Sequence, residues 1–395
     1  MLFIKRIIIS FCGFLFTASL FAAGTSAAAM NPKISVIGDF VGRSGTENQK
    51  EDGFHVREVE FGVQADVDPY ARADLFIGGL NDQGGSPELE EAYVTLLSLP
   101  WGLQARGGKF RADYGKLNRV HPHEYAQVDA PLVLEKFYGE GGINSTGFEL
   151  SRVFPFGGLY TEATFAVLQD LGTAAEPRSH TITVIDQGSG NPVEISVPGE
   201  SSNPSHQLGN FAQTAKLRAY KDLTDTANID LGLSAAVHQP KATATEEFDR
   251  QRFAAMDFTL RWKPLSQGVY RSFIWRTEGH YTDQDLVQVT NPVDGSIDEP
   301  AARVHRRGAY SYAEFQPVKR WRFGIRGDYA EDPAVRDDNT PHISRALAPY
   351  ATFTLTEFNR FRLQYERREN PGHEKENLGF LQWTFVLGPH GGHPF

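Results

Sequence analysis

Ile229-Asp230-Leu231-Gly232-Leu233-Ser234-Ala235-Ala236-Val237-His238 is the stretch that decides the architecture. Ile229, Leu231, Leu233, Ala235 and Val237 share one parity, while Asp230, Gly232, Ser234 and His238 share the other. Side chains alternate across a strand, so this spacing predicts a β-strand with one apolar and one polar face. The next segment repeats the pattern, with Ala254, Met256, Phe258, Leu260 and Trp262 against Asp257, Thr259, Arg261 and Lys263. So do Trp321, Phe323, Ile325 and Tyr329 against Arg322, Gly324, Arg326 and Asp328. Near the end, Phe361, Leu363 and Tyr365 oppose Arg362, Gln364, Glu366 and Arg368. A soluble sandwich also alternates, so strand length has to decide the solvent. Soluble strands average about five or six residues. These runs reach about ten to fourteen, enough to cross a bilayer at a tilt, which takes ~9–11.

The connections alternate between short and long. Short turns are expected near Asp68-Pro69, Leu99-Pro100-Trp101, Pro155-Phe156-Gly157, 222–226, 264–268, Pro317-Val318-Lys319 and Glu357-Phe358-Asn359. Longer loops are expected near 44–53, 80–88, 112–142, 170–208, 239–250, 283–304, 333–342 and 369–375. Seven turns and eight loops predict an all-β fold, a transmembrane antiparallel β-barrel of sixteen strands with periplasmic turns and extracellular loops. Closure follows because an open sheet edge in lipid leaves unpaired backbone groups at several kcal/mol each. Two β-branched runs, 181–185 and 193–197, flank Gly188-Ser189-Gly190-Asn191 and read as a hairpin extending the fourth loop; if they span, the count is eighteen.

Composition agrees with export to an outer membrane. Lys5 and Arg6 precede an apolar run over 7–23 and small residues at Ala22-Ala23-Gly24 and Ala27-Ala28-Ala29, so 1–29 is expected to be a signal peptide cleaved within 24–30. The barrel would then occupy 30–395. The single cysteine, Cys12, lies in the leader behind the bulky Phe11, which argues against lipidation. Disulfides, thiolate metal sites and cysteine nucleophiles drop out with it. The remaining chain sets 37 basic against 49 acidic residues, a net charge of −12, which excludes nucleic acid as a partner. No later stretch reaches the ~18 apolar residues of a spanning helix. Tyr70, Trp101, Phe156, Tyr270, Trp321, Phe358 and Trp383 sit near strand ends, as girdle aromatics do at membrane interfaces. Leu381, Trp383, Phe385 and Leu387 form an alternating last strand, and the terminal Phe395 resembles the assembly signal of outer-membrane proteins. The tail over 388–395 then either hangs below the barrel or is taken into a shifted strand.

Two passages carry a family likeness: Asn31-Pro32-Lys33-Ile34-Ser35-Val36-Ile37-Gly38-Asp39-Phe40, and Gly107-Gly108-Lys109-Phe110-Arg111-Ala112-Asp113-Tyr114-Gly115-Lys116. They resemble the porin-like barrels grouped with phosphate-selective porins, in which a Gly-Lys-Phe strand end leads into a loop folded into the pore. The resemblance implies a passive channel for ions or small solutes, often a homotrimer, without naming the solute.

In such a barrel, polar side chains of inward parity meet water in the lumen. Parity and depth place Arg106, Lys216, Arg218, Arg276 and Arg326 near mid-height, with Arg261, Lys263, Arg322 and Arg362 nearer the periplasmic mouth. Glu60, Asp74, Glu91, Glu162, Asp257, Glu278 and Asp328 also point inward. The third loop adds Asp113, Glu124, Asp129 and Glu135 as candidates for a constriction. A transverse field between a basic wall and an acidic loop is one expectation; ion pairs that neutralise one another are the other. His121 and His123, with Glu124 and Asp129 nearby, could hold Zn²⁺ or Cu²⁺, but no third ligand is dictated and solvated loop histidines are the plainer reading. The tail pair His390 and His393 and the acidic run Asp332, Asp337, Asp338 and Asn339 are weaker still. No metal or other cofactor is therefore assigned. Catalytic motifs are missing: no Gly-x-Ser-x-Gly elbow, no phosphate-cradling loop, and His238 lies four residues along its strand from Ser234, roughly 13 Å away. The sequence thus reads as a non-enzymatic porin in outer-membrane lipid, passing small hydrophilic solutes or ions. The alternatives are a channel specific for an oxyanion, sugar or metal complex, and a non-conducting scaffold that binds partners through its outer loops.

Overall fold

A computed structural model describes residues 32–389, apart from 47–51, 140, 172–179, 186–191, 198–209, 240–249, 269, 287–288, 291–296, 300, 333–341 and 373–374. The expected signal peptide and the histidines of the tail lie outside the described residues, as do Asp337, Asp338 and Asn339.

Sixteen strands close into one antiparallel barrel. They are β1 (Lys33–Gly45), β2 (Gly53–Asp68), β3 (Ala71–Leu80), β4 (Glu88–Leu99), β5 (Leu103–Arg111), β6 (Asn144–Phe156), β7 (Leu159–Leu168) and β8 (Ala212–Thr224). The second half comprises β9 (Ala227–His238), β10 (Arg250–Trp262), β11 (Ser272–Leu286), β12 (Ala302–Val318), β13 (Trp321–Glu331), β14 (Ile343–Thr356), β15 (Asn359–Glu369) and β16 (Glu376–Leu387). Each pairs with its chain neighbour, and β16 closes on β1 with Phe385 opposite Gly38 and Leu387 opposite Val36. The last strand therefore ends at Leu387 without sliding to take in the tail. His180–Ile185 and Pro192–Val197 form a separate two-stranded sheet outside the barrel, so the count is sixteen. A second small sheet, Val289–Thr290 with Ile297–Glu299, lies in the sixth loop, which begins after Leu286 and is shorter than 283–304.

The apolar faces are the exposed ones. Along β9 burial alternates residue by residue, with Asp230, Ser234 and His238 buried and Leu231, Leu233 and Val237 exposed. Leu217, Leu233 and Met256 sit side by side on β8, β9 and β10, exposed by 48%, 56% and 63%. A chain that buries aspartate and exposes leucine in register has hydrocarbon outside and a polar interior. Tyr70, Trp101, Phe156, Tyr270, Trp321, Phe358 and Trp383 are all exposed at or beside the short turns, and Trp383 stacks on Phe361 of the neighbouring strand.

Candidate functional site

The site is made by the third loop, 112–143, which leaves β5 and turns into the lumen. Its entry depends on Gly115, whose φ of +56° is a left-handed conformation that glycine adopts without strain, and where a Cβ would strike the Glu278 carboxylate. That tight approach lets the Gly115 amide donate to Ser234 Oγ at 3.0 Å and the Lys116 amide to Glu278 at 2.9 Å. The loop then crosses to the far wall. The Val128 amide donates to Gln364 on β15, and a short helix, α1 (Leu132–Tyr138), packs against β12 and β13. Apolar residues of the loop (Tyr114, Leu117, Leu132, Val133 and Phe137 among them) are buried with Ala236, Phe253 and Tyr310 of the wall, so part of the lumen is a dry core. A continuous wall of strands gives the loop a rigid frame, and the loop supplies the apolar side chains that the polar inner face lacks.

The charges predicted on wall and loop meet in direct contact. Lys216 Nζ lies 2.8 Å from Asp113, and Lys116 Nζ 2.7 Å from Asp230, which also holds Arg218 and Arg261. Arg326, fully buried, bonds to Asp129 of the loop at 3.1 Å, to Asp328 at 2.7 Å and to Glu366 at 3.2 Å. Arg362 donates to the carbonyls of Gln127 and Tyr125 at 2.8 Å. Arg106 pairs with Glu149 at 2.9 Å and lies over the Phe110 ring, Arg276 donates to Thr259, and Glu162 faces Arg218. Asp74 accepts from Gln64, Glu278 from Tyr310, and Asp257 is buried on the same inner face. Instead of two facing surfaces across water, these groups form clamps, so the transverse-field arrangement is replaced at Asp113 and Asp129 by ion pairs. Arg322 reaches Glu314 at 3.9 Å and borders a cavity at the turn end. Lys263 falls one residue beyond β10 and is exposed, so it belongs to the turn and not to the wall. Glu135 sits on the exposed side of α1, 3.6 Å from Arg368, and Glu124 is half-buried beside the turn-end cavity.

His121 and His123 are buried, which overturns the solvated-loop reading. Around them stand Glu58, Glu60, Glu90 and Glu91 of the wall. Glu58 has the parity of Glu60 and could have been found from it. Arg57 and Glu90 could not, because β-bulges break the alternation there. The β1–β2 register shifts around Arg57, and the β3–β4 register around Glu90, so neighbouring residues both turn inward. Arg57 thereby reaches Asp39 and the Val128 carbonyl.

No family model matches the chain. An uncharacterized protein of Aquifex aeolicus (strain VF5) is 27% identical over 370 residues, covering 89% of this chain and 72% of that one. Three solved structures have the same architecture. The anion-selective porin from Comamonas acidovorans superposes with a TM-score of 0.54 at 11% identity, over 90% of this chain and 99% of that one. The outer-membrane channel DcaP of Acinetobacter baumannii gives 0.50 at 12% identity, over 92% and 100%. The trimer form of OmpT, an outer membrane protein of Vibrio cholerae, gives 0.50 at 7% identity, over 90% and 99%. The fold is that of an outer-membrane porin.

In this porin fold the loop clamps have a definite pH behaviour. Burial pushes the Asp113 and Asp129 carboxyls up. Lys216 and Arg119 beside the first, and Arg326 beside the second, more than offset that and hold both below the usual carboxylate range. Burial holds the Lys116 ammonium down to about 8 against the pull of Asp230. A depressed folded-state carboxyl contributes stability that is complete above its unfolded value of ~3.9 and is lost as pH falls through the folded one. Lowering the pH from about 7 to 5 should therefore leave the loop seated. Hydrogen exchange at the Val128 amide, corrected for its intrinsic rate, should not accelerate over that interval.

Proposed function

We propose that the barrel is a porin of the bacterial outer membrane, letting small hydrophilic solutes and ions diffuse passively through the passage its third loop leaves. The observation that carries this reading is the loop itself, tied across a polar lumen by Arg326–Asp129 and Lys216–Asp113. A cavity of about 550 Å³ lies at the loop end, lined by Glu58, Lys109, Arg111, Asp129 and Glu135 among others. Another of about 580 Å³ lies at the turn end, against Glu124, Arg322, Glu357 and Arg360. Charged side chains stand in both walls, as a water-filled route requires. Neither residue of the Ser234–His238 pair is poised as a nucleophile or base: Ser234 anchors Gly115, and His238 Nε2 bonds to the Asn210 carbonyl.

The purified barrel in planar bilayers should give small ohmic steps, since the loop occupies much of the lumen. Absence of steps from folded, heat-modifiable protein would overturn the porin and leave the surface scaffold. Passage specific to an oxyanion, as the likeness to phosphate-selective porins implies, is favoured by Arg322 and Arg360 together at the turn-end cavity. In that case inorganic phosphate should reduce chloride current at millimolar levels. Assembly as a homotrimer, the form in which Vibrio cholerae OmpT has been solved, is part of the same proposal.

A further inference from the structure

The group around His121 has the composition of a metal site. His121 Nδ1 lies 2.7 Å from Glu60 Oε2 and 3.0 Å from Glu90 Oε2, and His123 Nδ1 lies 3.4 Å from Glu58 Oε2. One ligand atom from each of Glu60, His121 and His123 falls within 4.8 Å of the others, and the same holds for Glu58, Glu60 and Glu90. Ligands bound tetrahedrally to one small cation at ~2.0–2.2 Å stand about 3.3–3.6 Å apart, so the His123–Glu58 pair already has that spacing and the shorter His121 contacts would open slightly to admit the ion.

Two further observations point to a cation. Glu60 is fully buried, and the nearest described partner of its carboxylate is His121 Nδ1, 2.7 Å from Oε2. A buried carboxylate is costly unless a positive charge compensates it, and the one imidazole shared by Glu60, Glu90 and Glu91 supplies at most one such charge. On the far side of the ring, His121 Nε2 lies 2.8 Å from Glu91 Oε1, which is anchored in turn by the Arg111 amide at 3.0 Å. A carboxylate on the outer nitrogen fixes the tautomer and turns the inner nitrogen towards the ligand, the arrangement found behind metal-binding histidines. Four carboxylates, Glu58, Glu60, Glu90 and Glu91, converge here, and Arg111 is the cation beside them, its guanidinium 3.9 Å from Glu90.

We propose that Glu60, His121 and His123, with Glu58 or Glu90, bind a first-row divalent cation such as Zn²⁺, pinning the third loop to β2 and β4. Mixed imidazole and carboxylate donors suit that class better than Ca²⁺ or Mg²⁺, which take oxygen alone. The inference does not rest on the barrel conducting, because its readouts are metal content and stability.

Full-length barrel, purified folded in detergent and equilibrated with Zn²⁺, should retain one zinc per chain after desalting, by elemental mass spectrometry. Chelation should lower its unfolding temperature, and added Zn²⁺ should restore it. Glu60→Gln should abolish zinc retention. Glu91→Gln, which keeps every direct ligand, should weaken Zn²⁺ by about 10–100-fold, and it serves if Glu60→Gln does not fold. Wild-type barrel that retains no zinc would overturn the proposal and leave His121 as a protonated strut among carboxylates. Zinc retained equally by both variants would overturn it too.

Discussion

Arg326→Ala should raise single-channel conductance several-fold. The guanidinium is fully buried and bonds at once to Asp129 of the loop and to Asp328 and Glu366 of the wall. Removing it leaves three carboxylates facing one another, Asp328 and Glu366 buried and Asp129 at the edge of the loop-end cavity. Breaking a buried ion pair by deleting one partner costs about 3–5 kcal/mol, and here the deleted partner serves three. The cheapest relief is for Asp129 to move into solvent. Asp129 is three residues from α1, whose Leu132 amide donates to Asp328, so the helix is drawn away with it. The wall itself is held by the β12–β13 and β13–β14 ladders, so the barrel should remain folded and heat-modifiable while the passage widens. Arg326→Lys keeps the charge without the planar fork and should fall between the two. Conductance unchanged in Arg326→Ala would show that the passage does not run beside the Asp129 clamp.

Leu233→Arg should be the most destructive single change on the outside. Leu233 is the middle residue of a lipid-facing row with Leu217 and Met256, and it is 56% exposed. An arginine at the bilayer midplane of a barrel costs about 2–4 kcal/mol, falling to ~0–1 near the interfaces. The same substitution at Leu223, exposed but beside the turn after β8, should therefore be nearly silent. The measurement is the urea midpoint of refolding into lipid vesicles. Equal losses at the two positions would contradict a hydrocarbon solvent around this face.

The wall was readable from the chain because alternation is a local property: Asp230 and Leu231 declare their sides without reference to any partner. Arg326, Arg362, Lys216 and Glu278 could be placed in the lumen for the same reason. Their partners could not. Whether Arg326 meets water or Asp129 depends on where a loop 197 residues earlier comes to rest, and no periodicity encodes that. The burial of His121 was hidden for a second reason. Its surroundings come from β2 and β4, where bulges put Arg57 beside Glu58 and Glu90 beside Glu91 on the inner side. A bulge changes parity by one, so counting along the strand assigns one member of each pair to lipid. The loop's apolar content, Leu132-Val133-Leu134 with Phe137-Tyr138, was visible as sequence. Its packing against a polar wall runs against the inside-out pattern of the rest and so had no local signal.

The middle of the loop is bolted down by residues that are synthesised late. Tyr125, Gln127, Val128 and Asp129 take their partners from Arg326, Arg362 and Gln364, 197 to 237 positions further on. Closing contacts over such separations costs loop-closure entropy that ordering the intervening chain reduces. The strands that hold the loop also lie just before β16, the strand that seals the sheet against β1. A chain halted before residue 321 would hold the start of the third loop at Lys216, Asp230, Ser234 and Glu278 but lack the β13 and β15 partners of Tyr125, Gln127 and Asp129. Restricting the hole and finishing the wall are thus a single event in the life of the molecule, so a half-built barrel carries no finished gate.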